Sequence, residues 1–186
     1  MKVPYLDLTV YNDDLKKRLL GRFEKILDHG RIIGGPEQLE FEQKFAKDIG
    51  VKYALGVSSG SSALYLALCG LNVGPGDEVI TTPYTWIVTT NAIASVGATP
   101  VFVDVLEDFN IDPNEIKKAI TDNTKAILPM HVAGHMCDME RITKIAKKYN
   151  LKIIEDAAQA FCSSINGKRA GSFSNIACFS MNPMKI

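Results

Sequence analysis

The 186-residue sequence has no surplus of charge: 21 Lys and Arg stand against 21 Asp and Glu. A sequence-independent grip on nucleic acid needs an excess of basic side chains, so that class is excluded. Cysteine is scarce. Cys69, Cys137, Cys162 and Cys178 make no C-x-x-C pair and no even framework. Three of the four lie in apolar stretches, which predicts buried, reduced thiols. No membrane span is readable. The uncharged run from Val79 to Val103 is long enough, but Pro83, Pro100 and many threonines break it into strand, helix and strand. The opening MKVPYLDLTVYNDD is interrupted at Pro4 and Asp7 and does not read as a signal peptide. Cytoplasmic residence is therefore expected. Low-complexity segments, internal repeats and linkers are absent. So are a G-x-G-x-x-G fingerprint and a Walker lysine, and nothing indicates a dinucleotide or a triphosphate.

What is present is alternation. With 46% hydrophobic residues the chain can build the core of one large domain, or of most of one. Asn12 is placed to cap a helix carrying Leu15, Leu19, Phe23 and Ile26, stopped by Gly30. Pro36 opens a second helix with Leu39, Phe45 and Ile49 inward, closed by Gly50. Then the period changes. Short apolar runs that read as strands (YALGV at 53–57, EVITT from 78, PVFVDV at 100–105, KAILPMHV at 125–132, LKIIEDAA at 151–158, NIACFS at 175–180) alternate with helical stretches. The helices are expected after SSGSS, over 86–96, 113–120 and 139–149. Asn166-Gly167 predicts a hairpin turn. This is the pattern of an α/β domain, a mainly parallel sheet with helices on both faces. Ligands bind such sheets beyond the carboxyl ends of the strands, so the residues just after each strand are the candidates.

Four such exits carry usable chemistry. VSSGSSAL places Gly60 and Ser61 at a helix N-terminus, either a phosphate cradle or an ordinary serine-capped turn. TTPYT leads to Trp86, the only tryptophan, which either covers a planar ligand or fills the core. LKIIE leads to Asp156 and Gln159. A carboxylate there needs a cationic partner, unless it caps a helix or joins an ion pair. NIACFS leads through an Asn-Pro turn to Lys185, a nucleophile toward carbonyls if desolvated, or else a solvated lysine. MHVAGHMCDM offers His131, His135, Cys137 and Asp138, but the spacing matches no zinc motif, and Asp138 reads better as a helix cap. Taken together, a phosphate cradle, a stacking aromatic, a strand-end aspartate and a strand-end lysine on one rim meet the demands of pyridoxal phosphate.

The run VSSGSSALYLAL, then GPGDEVITTPYTWIVTTNAI, GATPVFVDV, IIEDAAQA and the Ser-x4-Lys of SMNPMK resembles the DegT/DnrJ/EryC1/StrS sugar aminotransferases. The resemblance covers nearly the whole chain in order and implies the large domain of the fold-type-I pyridoxal-phosphate transferases. It further implies that Gly60, Ser61 and Ser180 bind the cofactor phosphate and that Trp86 stacks on the pyridine ring. Asp156 would pair with the ring nitrogen, Gln159 would contact the ring-hydroxyl side, and Lys185 would be the Schiff-base lysine. GRIIGGPE (30–37) is similar to the family segment near the substrate mouth. The implied substrates are nucleotide-linked keto sugars with glutamate as amino donor, and the implied assembly is a homodimer. Lysine rather than histidine at 185 implies amino transfer rather than sugar dehydration. Family members are roughly twice as long, so residues 1–186 are expected to be an N-terminal segment plus most of the large domain, without the small C-terminal domain.

Overall fold

The computed structural model describes residues 4–185, in two compact units that divide between Gly56 and Val57. In the first unit, α1 (Asp13–His29) starts at Asn12, whose side chain accepts from the Leu15 amide. It ends at Gly30, whose φ of 66° is the left-handed value that terminates a helix. Helix α2 (Pro36–Ile49) begins with proline in its first turn and ends at Gly50. Arg22 and Glu40 tie the two helices at 2.8 Å, and GRIIGGPE forms their link. Of the apolar set expected inward in α2, Ile49 is buried and Phe45 half-buried, but Leu39 is exposed. Helix α1 buries no residue at all.

The second unit is the sheet domain. Its order is β2-β1-β3-β4-β7, all parallel: β1 (Glu78–Thr81), β2 (Thr99–Phe102), β3 (Thr124–Ile127), β4 (Lys152–Asp156) and β7 (Ile176–Cys178). Helices α3 (Gly60–Gly70) and α4 (Ile87–Ser95) contribute to one core cluster, with Leu68, Ile93, Val79, Ala126, Leu128 and Ile154. Helices α5 (Pro113–Ala119) and α6 (Met139–Tyr149) contribute to the other, with Ile116, Ile142, Ile80, Ile127 and Ile153. Successive strand residues thus enter opposite clusters, as pleated strands covered on both faces require. The side chains of Ile80, Ile127 and Ile154 are wholly buried. Truncating any one to alanine should cost about 2–5 kcal/mol. The hairpin β5 (Ser164–Ile165) and β6 (Lys168–Arg169) turns through Asn166 and Gly167, with φ of 52° and 75°.

The α/β class stands, and helix α6 has the expected bounds. Several local expectations are corrected. YALGV forms no strand: Tyr53 and Leu55 are exposed, and the run pairs with no described strand. PVFVDV pairs only as far as Phe102, after which Val105 turns back to bridge Ile111. KAILPMHV leaves regular pairing after Ile127 and keeps a bridge from Met130 to Asp156. Only two thiols are buried, Cys137 and Cys178, while Cys69 and Cys162 are exposed. Burial pushes each buried thiol up to about 12, so both stay protonated. No described helix is long and apolar enough to cross a membrane.

Candidate active site at the carboxyl rim of the sheet

Alternation along β4 assigns its last two residues to opposite sides. Ile153 belongs to the α5–α6 cluster and Ile154 to the α3–α4 cluster. Glu155 therefore faces α5 and α6, and Asp156 faces α3 and α4. The hydrogen bonds agree. Asp156 Oδ2 accepts from Thr89 Oγ1 on α4 at 2.8 Å, and Oδ1 accepts from the Ala158 amide at 3.2 Å. Asp156 is 4% exposed, caps no helix and makes no ion pair within 4.0 Å among the described residues. Both ordinary explanations for a strand-end aspartate are thus corrected. Burial raises its carboxyl above the usual range, against the pull of the Thr89 and Ala158 hydrogen bonds and of the Lys185 charge.

At the start of α3, Ser59 caps the helix by accepting from the Ser62 amide at 3.1 Å. Ser62 Oγ is shared with Ser58 Oγ at 2.8 Å and with Ser59 Oγ at 3.1 Å. The capped-turn reading and a phosphate cradle are compatible here, because the amides of Gly60 and Ser61 lie in the first turn, where no helical acceptor exists. Gly60 sits against the exit of β7: a β-carbon there would lie 3.4 Å from Ser180 Cβ and 3.5 Å from the Phe179 carbonyl. That is ordinary contact, so glycine is not forced at position 60 by its own backbone. Gly60, Ser61 and Ser180 are brought together.

Trp86 precedes α4 and is 65% exposed, which corrects the core-filling alternative. Its neighbour Thr85 shares a hydrogen bond with Thr89 at 2.8 Å, linking this exit to Asp156. Gln159 is half-buried, and its Oε1 accepts from the Ala133 amide at 2.7 Å. That contact fixes the side-chain amide and leaves its NH2 group as donor. Beyond Ser180, Asn182 Oδ1 accepts from the Met184 amide, and the Lys185 amide donates to the Asn182 carbonyl at 2.8 Å. This turn carries Lys185, half-buried, close enough for its ammonium to act on Asp156.

The four candidate metal ligands serve separate purposes. Asp138 caps α6 by accepting from the Arg141 amide, and His135 meets Asp108 at 3.3 Å on the surface. Cys137 donates to the Met130 carbonyl. His131, wholly buried, accepts the Cys137 amide at Nδ1 (3.2 Å), so its proton resides on Nε2, which donates to Glu155 Oε2 at 3.0 Å. No metal cluster occurs among the described residues.

Two features escape sequence reading. Thr89 is joined to Asp156 only by tertiary structure, and a β-branched hydroxyl residue one helical turn after Thr85 is a weak signal. Glu155 reads as one more strand-end acid but is a hub. Besides His131, it accepts from the Gly171 amide (2.9 Å), the Phe173 amide (3.0 Å) and Ser174 Oγ (2.7 Å). Burial alone would raise it, but the hydrogen bonds from His131, Ser174 and Gly171 outweigh that and hold it below the ordinary range.

An open parallel sheet, covered on both faces, with a helix N-terminus, a buried aspartate and a lysine at its carboxyl rim defines an α/β ligand-binding domain. Residues 13–186 match the DegT/DnrJ/EryC1/StrS aminotransferase family, and the chain belongs to that family. It is 43% identical over 185 residues (99% of the chain, 49% of the relative) to a dTDP-3-amino-3,4,6-trideoxy-alpha-D-glucose transaminase of Streptomyces venezuelae. It is 40% identical over 184 residues (98% and 51%) to a UDP-2-acetamido-2-deoxy-3-oxo-D-glucuronate aminotransferase of Pseudomonas aeruginosa. The crystal structure of NtdA from Bacillus subtilis with bound cofactor PMP superposes with a TM-score of 0.89 at 37% identity, covering 99% of this chain and 42% of that one. The chain spans about half the length of the curated relatives it matches.

Proposed function

We propose that this chain supplies the cofactor-binding part of a pyridoxal-phosphate aminotransferase that moves an amino group, from glutamate, onto a nucleotide-linked keto sugar. The observation that carries the reading is Asp156, a buried carboxylate with two neutral donors and no salt-bridge partner among the described residues. A protonated pyridine nitrogen is a cation of the required size, and the residues present fit it. When bound, pyridoxal phosphate supplies the electron sink for proton removal next to nitrogen.

The chain's own residues then divide the work. Gly60 and Ser61 offer unpaired helix-start amides, and Ser180 a hydroxyl, to the phosphate. Trp86 covers one face of the ring, and the NH2 group of Gln159 donates toward its hydroxyl side. Asp156, oriented by Thr89, keeps the ring nitrogen protonated. Lys185 Nζ would be the nucleophile that holds the cofactor and the base that carries the moving proton.

The finer parts of the reading rest on narrower support. The printed activities of the relatives, on dTDP- and UDP-linked sugars, support the substrate class. Helices α3 and α4 contain no charged residue, yet leave Tyr65, Leu66 and Ile87 exposed, which supports a second copy of the chain as their cover. Sedimentation as a monomer would overturn that part. We place residues 57–185 in the large cofactor-binding domain, and the enzyme in the cytoplasm, where nucleotide sugars are made. Borohydride reduction of the cofactor-loaded protein, followed by peptide mapping, tests the central assignment. A phosphopyridoxyl group on Lys185 is expected; one on any other lysine sinks it.

A further inference from the structure

Five described residues other than glycine have φ in the left-handed region: Asn72, Phe109, Ala133, Asn150 and Asn166. Asparagine tolerates that conformation, so only Phe109 and Ala133 require explanation. Both belong to loops at the carboxyl rim. Ala133 gives its amide to Gln159, as described above. Phe109, with φ of 66°, lies in the loop after β2 and stacks on Tyr84 in the loop after β1. The ring centroids are 4.8 Å apart and the planes differ by 23°, an offset stack.

The strain is held in place by Asn110, which is buried and bonded on three sides. Its Oδ1 accepts from the Val132 amide at 3.1 Å. Its Nδ2 donates to the His135 carbonyl at 3.2 Å and to Asp108 Oδ2 at 3.4 Å. The Phe109 amide closes the turn on the Leu106 carbonyl at 2.9 Å. A glycine or asparagine at 109 would make the same turn without strain, so the turn alone does not account for the phenyl ring. Nor does core packing, since Phe109 and Tyr84 are 50% and 51% exposed. Backbone strain that neither the turn nor the core requires points to function.

The pair is also wired into the candidate site from both ends. Tyr84 precedes Thr85, which bonds Thr89, which bonds Asp156. Phe109 precedes Asn110, which holds the Val132 amide, next to the Ala133 amide held by Gln159. No basic side chain occurs in 82–86 or 105–111, and Glu107 and Asp108 immediately precede Phe109. His135 meets Asp108, but no basic residue of these two loops faces a ligand, which suits a neutral planar ring better than a phosphate.

We propose that Tyr84 and Phe109 form the platform on which the nucleotide's base stacks, placing the sugar end toward Lys185. This rests on the nucleotide-sugar reading above and adds to it the place of the base. Stacking suits the spread of nucleotides in the names of the relatives, thymidine and uridine diphosphates, because it uses the ring face and not the base edge.

The test is calorimetric titration of the cofactor-loaded protein with UDP, with dTDP, and with inorganic pyrophosphate, which has no base. Tyr84→Leu should weaken UDP and dTDP about tenfold and leave pyrophosphate unchanged. Tyr84→Phe, which keeps the ring face, should bind as wild type. Phe109→Gly should lose nucleotide affinity without losing thermal stability, an outcome that a purely structural clasp between loops would not give. Equal UDP affinity in wild type and Tyr84→Leu overturns the platform, and so does wild-type UDP binding no tighter than pyrophosphate. Lys185 labelling on the same preparations separates the two ideas. Labelled Lys185 with base-indifferent binding strikes only the platform, whereas unlabelled Lys185 strikes the aminotransferase reading itself.

Discussion

Glu155 and Asp156 are neighbours on one strand, both carboxylates and both buried, and they are treated in opposite ways. On the α5–α6 side, Glu155 receives four donors and is held below its ordinary range. On the α3–α4 side, Asp156 receives two and is raised above it. The first is a finished structural clamp joining β4 to His131 and to the 171–174 loop. The second is short of positive charge. Buried charge is expensive unless compensated, so the saturated carboxylate reads as architecture and the unsaturated one as a site waiting for a cation.

The sharpest way to break this comparison is Asp156→Asn. An amide cannot keep a ring nitrogen protonated, and turnover should fall about a hundredfold, roughly 3 kcal/mol of barrier. Stability of the cofactor-free protein should move the other way. A carboxyl raised by burial opposes folding while ionised, so the Asn variant should unfold at higher temperature than wild type at neutral pH. That gap should close as pH falls through the raised value and wild-type Asp156 takes up its proton. Near-wild-type turnover in the folded variant would remove Asp156 from the chemistry.

Glu155→Gln should do the reverse, with turnover changed mainly through stability. Losing the charge and part of the acceptor set should cost about 2–3 kcal/mol in denaturant unfolding. Because its folded carboxyl is depressed, the stability that Glu155 contributes is complete above its unfolded value and disappears as pH falls through the folded one. Wild type should therefore lose stability in acid more steeply than Glu155→Gln. Parallel acid-unfolding profiles would show that the clamp is not electrostatic.

The smallest effect is expected for Thr89→Val, which removes one donor from Asp156 and keeps the side chain's shape. We expect about 1–2 kcal/mol of stability and up to about tenfold in turnover. Turnover unchanged with stability lowered would make Thr89 a packing residue of α4 only.

Much of this was legible in the sequence because it is local. Helix α6 begins at its Asp138 cap and ends where the helical spacing stops, and Asn166-Gly167 makes its turn without outside help. YALGV misled because apolar composition makes a strand only where a ladder forms, and the run pairs with no described strand. Asp156 and Lys185 could be listed from strand exits alone, since a parallel sheet gathers its exits at one edge, whereas Gly60 is read from the end of YALGV, which is no strand, and Ser180 comes only from the family resemblance. The bond from Thr89 to Asp156 could not, because it joins α4 to the end of β4 across 67 positions of chain. Nor could the different fates of residues 155 and 156. Alternation shows that they face opposite sides, but only the folded loops show which side is furnished with donors.

The clamp at Glu155 has a consequence for how the site comes to be built. Because the side-chain period of a strand is two, a slip of β4 by one place would present Asp156 to the loop donors and leave Glu155 among α3 and α4 with no partners. The four donors thus favour the seating that puts Glu155 among them, and that seating sends Asp156 to the opposite face. One register of β4 therefore serves both faces of the sheet: the seating that gives Glu155 its donors is also the seating that aligns Asp156.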